Sequence, residues 1–154
     1  MVRLSDLPAV DAAHLLAKDC AAFADEPFVE PPPLADCRVA IITTAGLHLA
    51  KQDTFELRDT GYRVLPGNIA ARDLVMSHSS VNFDRTGYQQ DLNVIFPIDR
   101  LRECAAAGRI GSLANYHYAL MGAGWEPHEI EVTANTIAGL LAEDAVNAAL
   151  LVPV

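Results

Sequence analysis

Within residues 38–43 the positions Val39, Ala40, Ile41 and Ile42 are apolar in unbroken succession. A strand with that pattern is covered on both faces, as central strands of parallel sheets are. Further strands are predicted at Tyr62–Leu65, stopped by Pro66-Gly67, at Asp73–Met76, at Leu92–Phe96 and at Val146–Val152. Between them the apolar period changes to that of a helix. Pro97 opens one helix carrying Ile98, Leu101, Arg102 and Ala105, and Gly108 ends it. Another opens near Pro127, with Ile130, Ala134, Ile137 and Leu141 along its stripe. Strands interleaved with helices predict an α/β class: a doubly wound, mostly parallel sheet with helices on both faces. Residues 38–43, 92–96 and 146–152 are its expected central strands.

The N-terminal stretch reads differently. Leu4, Leu7, Val10, His14 and Ala17 recur at helical spacing, and Pro8 suits a first turn. They predict an amphipathic helix over about residues 5–24 that packs on its own domain or on another subunit. Glu26-Pro27 through Pro31-Pro32-Pro33 excludes regular helix and favours an extended tether. The expected division is a helix in 1–26, a proline-rich linker in 27–37 and an α/β domain in 38–154.

Composition narrows the partners. The 154 residues carry a formal net charge of −9, which opposes nonspecific binding to nucleic acid or to anionic membrane. It fits a small ligand or a protein partner. No apolar run approaches the roughly 20 residues that span a bilayer, and the first residues do not form a secretory signal. Cys20, Cys37 and Cys104 are odd in number and widely spaced. They predict a reducing, cytoplasmic setting rather than a disulfide framework, each serving as a small buried hydrophobe.

Three segments gather polar chemistry at strand ends, where ligands of α/β sheets collect. The first is Thr43-Thr44-Ala45-Gly46-Leu47-His48, whose hydroxyls also suit local backbone contacts in a turn. The second, Ser77-His78 through Asp84-Arg85-Thr86-Gly87, holds an imidazole for proton transfer and a guanidinium for a carboxylate. As a plain surface loop it would pair Asp84 with Arg85. The third is Asp91-Leu92-Asn93, where alternation would point both polar side chains to one sheet face. Candidate catalytic residues are His48, His78 and Asp91. Candidate substrate-binding residues are Thr43, Thr44, Ser77, Arg85, Asn93 and His117, the last of a kind more often found in a core or supporting a site from behind. No metal site is expected, because no two of these histidines share ligand spacing. Dinucleotide, P-loop and nucleophile-elbow motifs are absent, and Met121-Gly122-Ala123-Gly124 reads as a turn.

Taken in order, these segments resemble a known family. Thr43-Thr44-Ala45-Gly46-Leu47-His48-Leu49, Tyr62–Gly67, the Ser77-His78…Asp84–Gly87 loop, Asp91–Glu103 and Gly108–Ala114 with His117-Tyr118…Met121-Gly122 are similar to successive motifs of selenoprotein B. That family handles substrate in glycine, sarcosine, betaine and D-proline reductases. The resemblance covers about residues 37–154. It implies attack on substrate carbon by a thiolate or selenolate, with departure of an amine, and in some members a partner subunit carrying a pyruvoyl group. The family's redox residue lies just after the strand that here ends Val152-Pro153-Val154, and no cysteine of this chain matches it. The expectation is a reductase component whose nucleophile comes from a C-terminal part or partner chain. The alternatives are a non-catalytic binding or assembly subunit, and a metal-dependent enzyme using His48, His78 and Asp91. The apolar strand at 146–152 further predicts association with another copy or with a second subunit, rather than a lone monomer.

Overall fold

A computed structural model describes residues 3–17, 29–80 and 85–154 of the chain. Its strands are β1 (Arg38–Thr43), β2 (Leu47–Leu49), β3 (Tyr62–Pro66), β4 (Leu74–Met76), β5 (Ser112–Leu113), β6 (Tyr116–Leu120) and β7 (Ala148–Val152). Its α-helices are α1 (Ala9–Leu16), α2 (Thr86–Gln90), α3 (Ile98–Ala106) and α4 (Glu131–Glu143). β1 is central: β7 runs parallel along one edge, and β5 then β6 run parallel along the other. β3 adds antiparallel to β6, while β2 and β4 form a separate antiparallel ribbon. No helix among the described residues is long and apolar enough to cross a membrane.

The unbroken apolar run of β1 has two faces to fill, and both are covered. On one side Ile41 packs with Leu65, Ile95, Phe96 and Ile98, the last from α3. On the other, Ile42 packs with Tyr118 and with Ile137, Leu140 and Leu141 of α4. The α/β architecture with helices on both faces is therefore as the sequence predicts. α3 stops as expected at Gly108, where the amides of Gly108 and Arg109 donate to the Ala105 and Cys104 carbonyls.

The segment Leu92–Phe96 is not a central strand. Leu92–Val94 is a 3₁₀ turn with Asp91 as its cap. The Asp91 carboxylate accepts from the Asn93 amide at 2.9 Å and from Asn93 Nδ2 at 2.8 Å. Asn93 Oδ1 in turn accepts from the Asp99 amide, at the start of α3, at 3.0 Å. These short-range bonds offer the backbone an alternative to a ladder. Ile95 and Phe96 are buried all the same, as a plug under the sheet. The expected strand at Asp73–Met76 exists, but in the ribbon rather than the main sheet. α1 falls within the expected N-terminal helix and has no buried residue; residues 18–24 of that prediction lie outside the described residues.

The contact between β1 and its β5–β6 neighbour is interrupted. Between the pairs Val39–Leu113 and Ile42–Tyr118, β1 advances three residues and the facing segment five. The His117 ring fills the mismatch: its Nδ1 accepts from the Ile41 amide at 3.0 Å, and Phe96 meets it edge-on at 5.6 Å. Asp144, just past α4, clasps the bulge from outside. Its carboxylate accepts from the Asn115 amide at 2.6 Å, from Asn115 Nδ2 at 2.7 Å and from Arg38 Nη2 at 2.5 Å. Arg38 Nε donates to the Asp144 carbonyl at 2.7 Å and Nη1 to the Leu113 carbonyl at 2.6 Å. Burial works to raise the Asp144 pKa, but the bonds from Arg38 and the Asn115 and Tyr116 amides outweigh it and lower the value.

Three outcomes follow for stability. Asp144→Ala leaves Arg38 and the Asn115 amide without their acceptor, and chemical denaturation should show a loss of about 2–3 kcal/mol. Ala145, the residue after Asp144, sits at φ 54° without being glycine; Ala145→Gly should therefore gain about 0.5 kcal/mol in the same assay. Burial first, then the Arg102 charge, and against Asp144, lowers the His117 pKa from 6.5 to about 4. The unfolded chain thus binds this proton first as pH falls. Stability should be complete above pH 6.5 and decline between 6.5 and about 4, by on the order of 3 kcal/mol. His117→Asn, which keeps an acceptor for Ile41, should flatten the decline; an unchanged denaturation profile across that window would exclude His117 as its source.

Candidate functional site

The C-terminal ends of β1, β6 and β7 meet at one place. Thr44, one residue past β1, donates its amide to the Val152 carbonyl at 3.1 Å. Its Oγ1 accepts from the Val154 amide at 2.8 Å and donates to the Val154 carbonyl at 3.3 Å. Gly122, just past β6, closes the third side. A Cβ there would lie 2.7 Å from the Val154 oxygen and 2.9 Å from Thr44, so three backbones approach only because position 122 has no side chain. That role was hidden in a glycine cluster that reads as an ordinary turn.

His78 borders the same place from the β2–β4 ribbon. It is 5 % exposed. Its Nδ1 accepts from the Ser80 amide at 3.2 Å, and its carbonyl accepts from Arg85 Nη2 at 2.8 Å. A ring nitrogen that accepts an amide carries no hydrogen, so the proton of the neutral ring is on Nε2. Burial first and then the Arg85 charge lower the His78 pKa, while the nearby Val154 backbone opposes them. His78 is therefore a neutral imidazole at neutral pH, beside the Val154 main chain.

Gly46 ties the ribbon to the sheet. It has φ +64°, its amide donates to the Leu120 carbonyl at 2.9 Å, and its carbonyl accepts from the Ser77 amide at 3.0 Å. Ser77 Oγ accepts from the Phe55 amide at 2.8 Å. Beyond it, Ser79 Oγ approaches Met121 Sδ at 4.0 Å.

The other singled-out residues lie elsewhere. Thr43 is buried and bonds to the Ile95 carbonyl at 2.9 Å, a brace between β1 and the Leu92–Phe96 plug. His48 is 2 % exposed. Its Nδ1 donates to the Leu49 carbonyl at 2.8 Å, so Nε2 keeps its lone pair, and that atom is buried with no hydrogen-bond partner among the described residues. Asp91 and Asn93 cap the start of α3 through each other and Asp99. The Asp91 pKa is lowered by the Asn93 amide and then the Asn93 side chain; burial opposes weakly, and Arg100 adds to the lowering. His117 is 0 % exposed, inside the β1–β6 bulge. Asp84 lies outside the described residues. The structure thus brings together Thr44, Ser77, His78 and Arg85, with Gly122 and Val154, and does not add Asn93, Asp91 or His117 to them.

Among the described residues no group of three or more His, Cys, Asp and Glu side chains is arranged to hold a metal ion. Cys37 is buried just before β1, its Sγ near the Pro32 and Pro33 carbonyls at 3.7 and 3.6 Å. Cys104 packs from α3 against the same cluster. Both are at the end of the sheet opposite Thr44 and His78; Cys20 lies outside the described residues.

The approach of position 46 to His78 gives a test of the site. A Cβ on Gly46 would stand 3.1 Å from the His78 amide nitrogen, at a φ that side chains avoid. Gly46→Ala should displace the ribbon from the sheet end and shift the His78 ring resonances, with the His117 resonances unmoved. Unmoved His78 resonances would show that Gly46 does not position it.

Comparison with known proteins bears on this arrangement. A family model described as glycine/sarcosine/betaine reductase selenoprotein B matches residues 33–154. The chain is 35% identical over 133 residues to the D-proline reductase subunit gamma of Acetoanaerobium sticklandii, an alignment covering 80% of this chain and 54% of that protein. It therefore spans about half the length of that curated relative. No solved structure matches. The matched span takes in the whole sheet, both covering helices and the Thr44–His78–Val154 junction, and the chain belongs to the glycine/sarcosine/betaine reductase selenoprotein B family.

Proposed function

We propose that this chain is the substrate-handling part of a reductase component that cleaves a carbon–nitrogen or related bond in a small amino acid or carboxylate. The observation that carries the reading is the lodging of the Val154 backbone between the Thr44 hydroxyl and the neutral, Nε2-protonated ring of His78. The nucleophile is a thiolate or selenolate on another polypeptide segment, either continuous with this chain or on a second subunit. That group supplies attack on substrate carbon; a pyruvoyl group, where an assembly contains one, belongs to the partner. Buried Cys37 and half-buried Cys104, at the far end of the sheet, do not serve.

This chain's own residues do the rest. Thr44 fixes the main chain at Val154 with both its donor and its acceptor. His78 keeps its proton: the neutral ring is a hydrogen-bond donor at Nε2 that stabilises the nitrogen as it leaves with the bonding electron pair, and water protonates that nitrogen. The Arg85 guanidinium, anchored on the His78 carbonyl, places a positive charge where a substrate carboxylate would sit. Ser77 and Gly46 keep the His78 backbone in place. His48 offers a buried lone pair at Nε2, suited to a bound proton donor. The reading of the chain as a non-catalytic assembly subunit keeps the same fold and loses the turnover.

The native assembly, purified from its host, should cleave a carbon–nitrogen bond of one of glycine, sarcosine, betaine or D-proline when dithiothreitol supplies the two electrons, releasing ammonia or an amine from the first three and opening the ring of the last. The chain alone should not. His78→Phe, which removes the Nε2 donor, should lower kcat by about 10²- to 10³-fold with KM little changed. Full turnover by His78→Phe would remove His78 from the chemistry, and an assembly inert to all four substrates would favour the non-catalytic reading.

A further inference from the structure

Beside the bulge, the fold leaves one polar group unused. Asn115, Tyr116, Tyr118, Leu140, Glu143 and Asp144 line a groove of about 270 Å³ between the start of β6 and the last turn of α4. Tyr118 is 2% exposed, packed with Ile137 and met by the Tyr62 ring edge-on at 6.0 Å. Among the described residues its hydroxyl makes no hydrogen bond, whereas a buried phenol ordinarily finds a partner. Burial first, then the Asp144 charge, then Tyr62, Glu143 and Tyr116 raise its pKa. The hydroxyl therefore keeps its hydrogen and looks out on negative charge.

The charge at this end of α4 is unbalanced. The C-terminus of a helix is the negative end of its dipole and favours lysine or arginine in the last turn. α4 has no basic residue there and carries Glu143 instead. The Asp144 oxygens are already occupied by Arg38 Nη2, Asn115 Nδ2 and the Asn115 and Tyr116 amides. The exposed Glu143 carboxylate, by contrast, has no partner among the described residues. A cation between Glu143 and Tyr118 Oη would meet a carboxylate, a phenol lone pair and a helix C-terminus together. The walls choose among cations. Leu140 and the exposed Tyr116 ring suit a hydrocarbon stem and a cation over an aromatic face. A metal ion needs several oxygen ligands, and no cluster of acids and histidines among the described residues supplies them. We infer that this groove binds the ammonium head of a short aliphatic amine, which donates to Glu143 and to Tyr118 Oη and lays its stem on Leu140 and Tyr116. The site lies at the opposite end of β6 from Gly122 and stands without the proposed reaction, because it rests on lining, burial and charge.

The test titrates the full chain, carrying isotope-labelled tyrosine rings, with n-butylammonium chloride exchanged against sodium chloride at constant ionic strength and neutral pH. The Tyr116 and Tyr118 resonances should shift and saturate in the millimolar range, while Tyr88, on α2, stays in place. n-Butanol, which has the stem without the charge, should move neither. Glu143→Gln and Tyr118→Phe should each weaken binding about tenfold, as followed at Tyr116. The Glu143 side chain is exposed and bonds to no described residue, so Glu143→Gln keeps the fold and carries the test even where Tyr118→Phe does not. Equal shifts from butanol would overturn the inference in favour of a plain apolar groove. So would shifts that never saturate, or undiminished affinity in Glu143→Gln.

Discussion

The bulge between β1 and its β5–β6 neighbour is the constraint on which the sheet depends. Five residues of one segment must match three of the other, and a buried mismatch strands backbone groups that need partners. Two side chains absorb it from opposite directions. His117 supplies an acceptor from inside, and Asp144 from outside. Because Asp144 also terminates α4 and receives Arg38, one carboxylate sets the end of a helix, the start of the central strand and the offset of its neighbour. The offset decides how far β6 runs beyond β1, and so where Gly122 meets Thr44.

Much of this was legible in the sequence, for a physical reason. The apolar run at Val39–Ile42 can only be a strand covered twice, and the stripe Ile130, Ile137, Leu141 can only be a helix lying on a face. Both patterns record burial, which is what periodicity reports. Leu92–Phe96 has the same apolar content but is governed by Asp91 and Asn93, whose side chains compete with the ladder for the backbone. Periodicity does not register such competition. Nor does it register Arg38 and Asp144, separated by most of the chain and paired only once the sheet has formed.

The site divides in the same way. Polar residues at strand ends pointed to Thr44, Ser77 and His78, which the fold gathers at one end of the sheet, where parallel strands leave room. They pointed equally to Asn93 and His117, which the fold uses for capping and for filling the bulge. Composition cannot separate a histidine at the sheet end, such as His78, from one that fills a bulge, such as His117, and both accept a backbone amide at Nδ1. The residue with no side chain, Gly122, was the least conspicuous member and is the one that lets the strand ends close.

The three described buried histidines are fixed in two tautomers. His78 and His117 each receive an amide at Nδ1, while His48 gives its Nδ1 hydrogen to a carbonyl. Each ring is therefore a dipole of set direction, and no single amide substitution imitates all three. Asparagine, whose oxygen falls where Nδ1 was, preserves the bond at position 117, yet at position 48 it must turn its nitrogen to the same end. Glutamine reaches the Nε2 end and abandons the backbone bond at either place. Replacing imidazole by amide in this molecule is thus three separate experiments, each of which asks about one end of one ring.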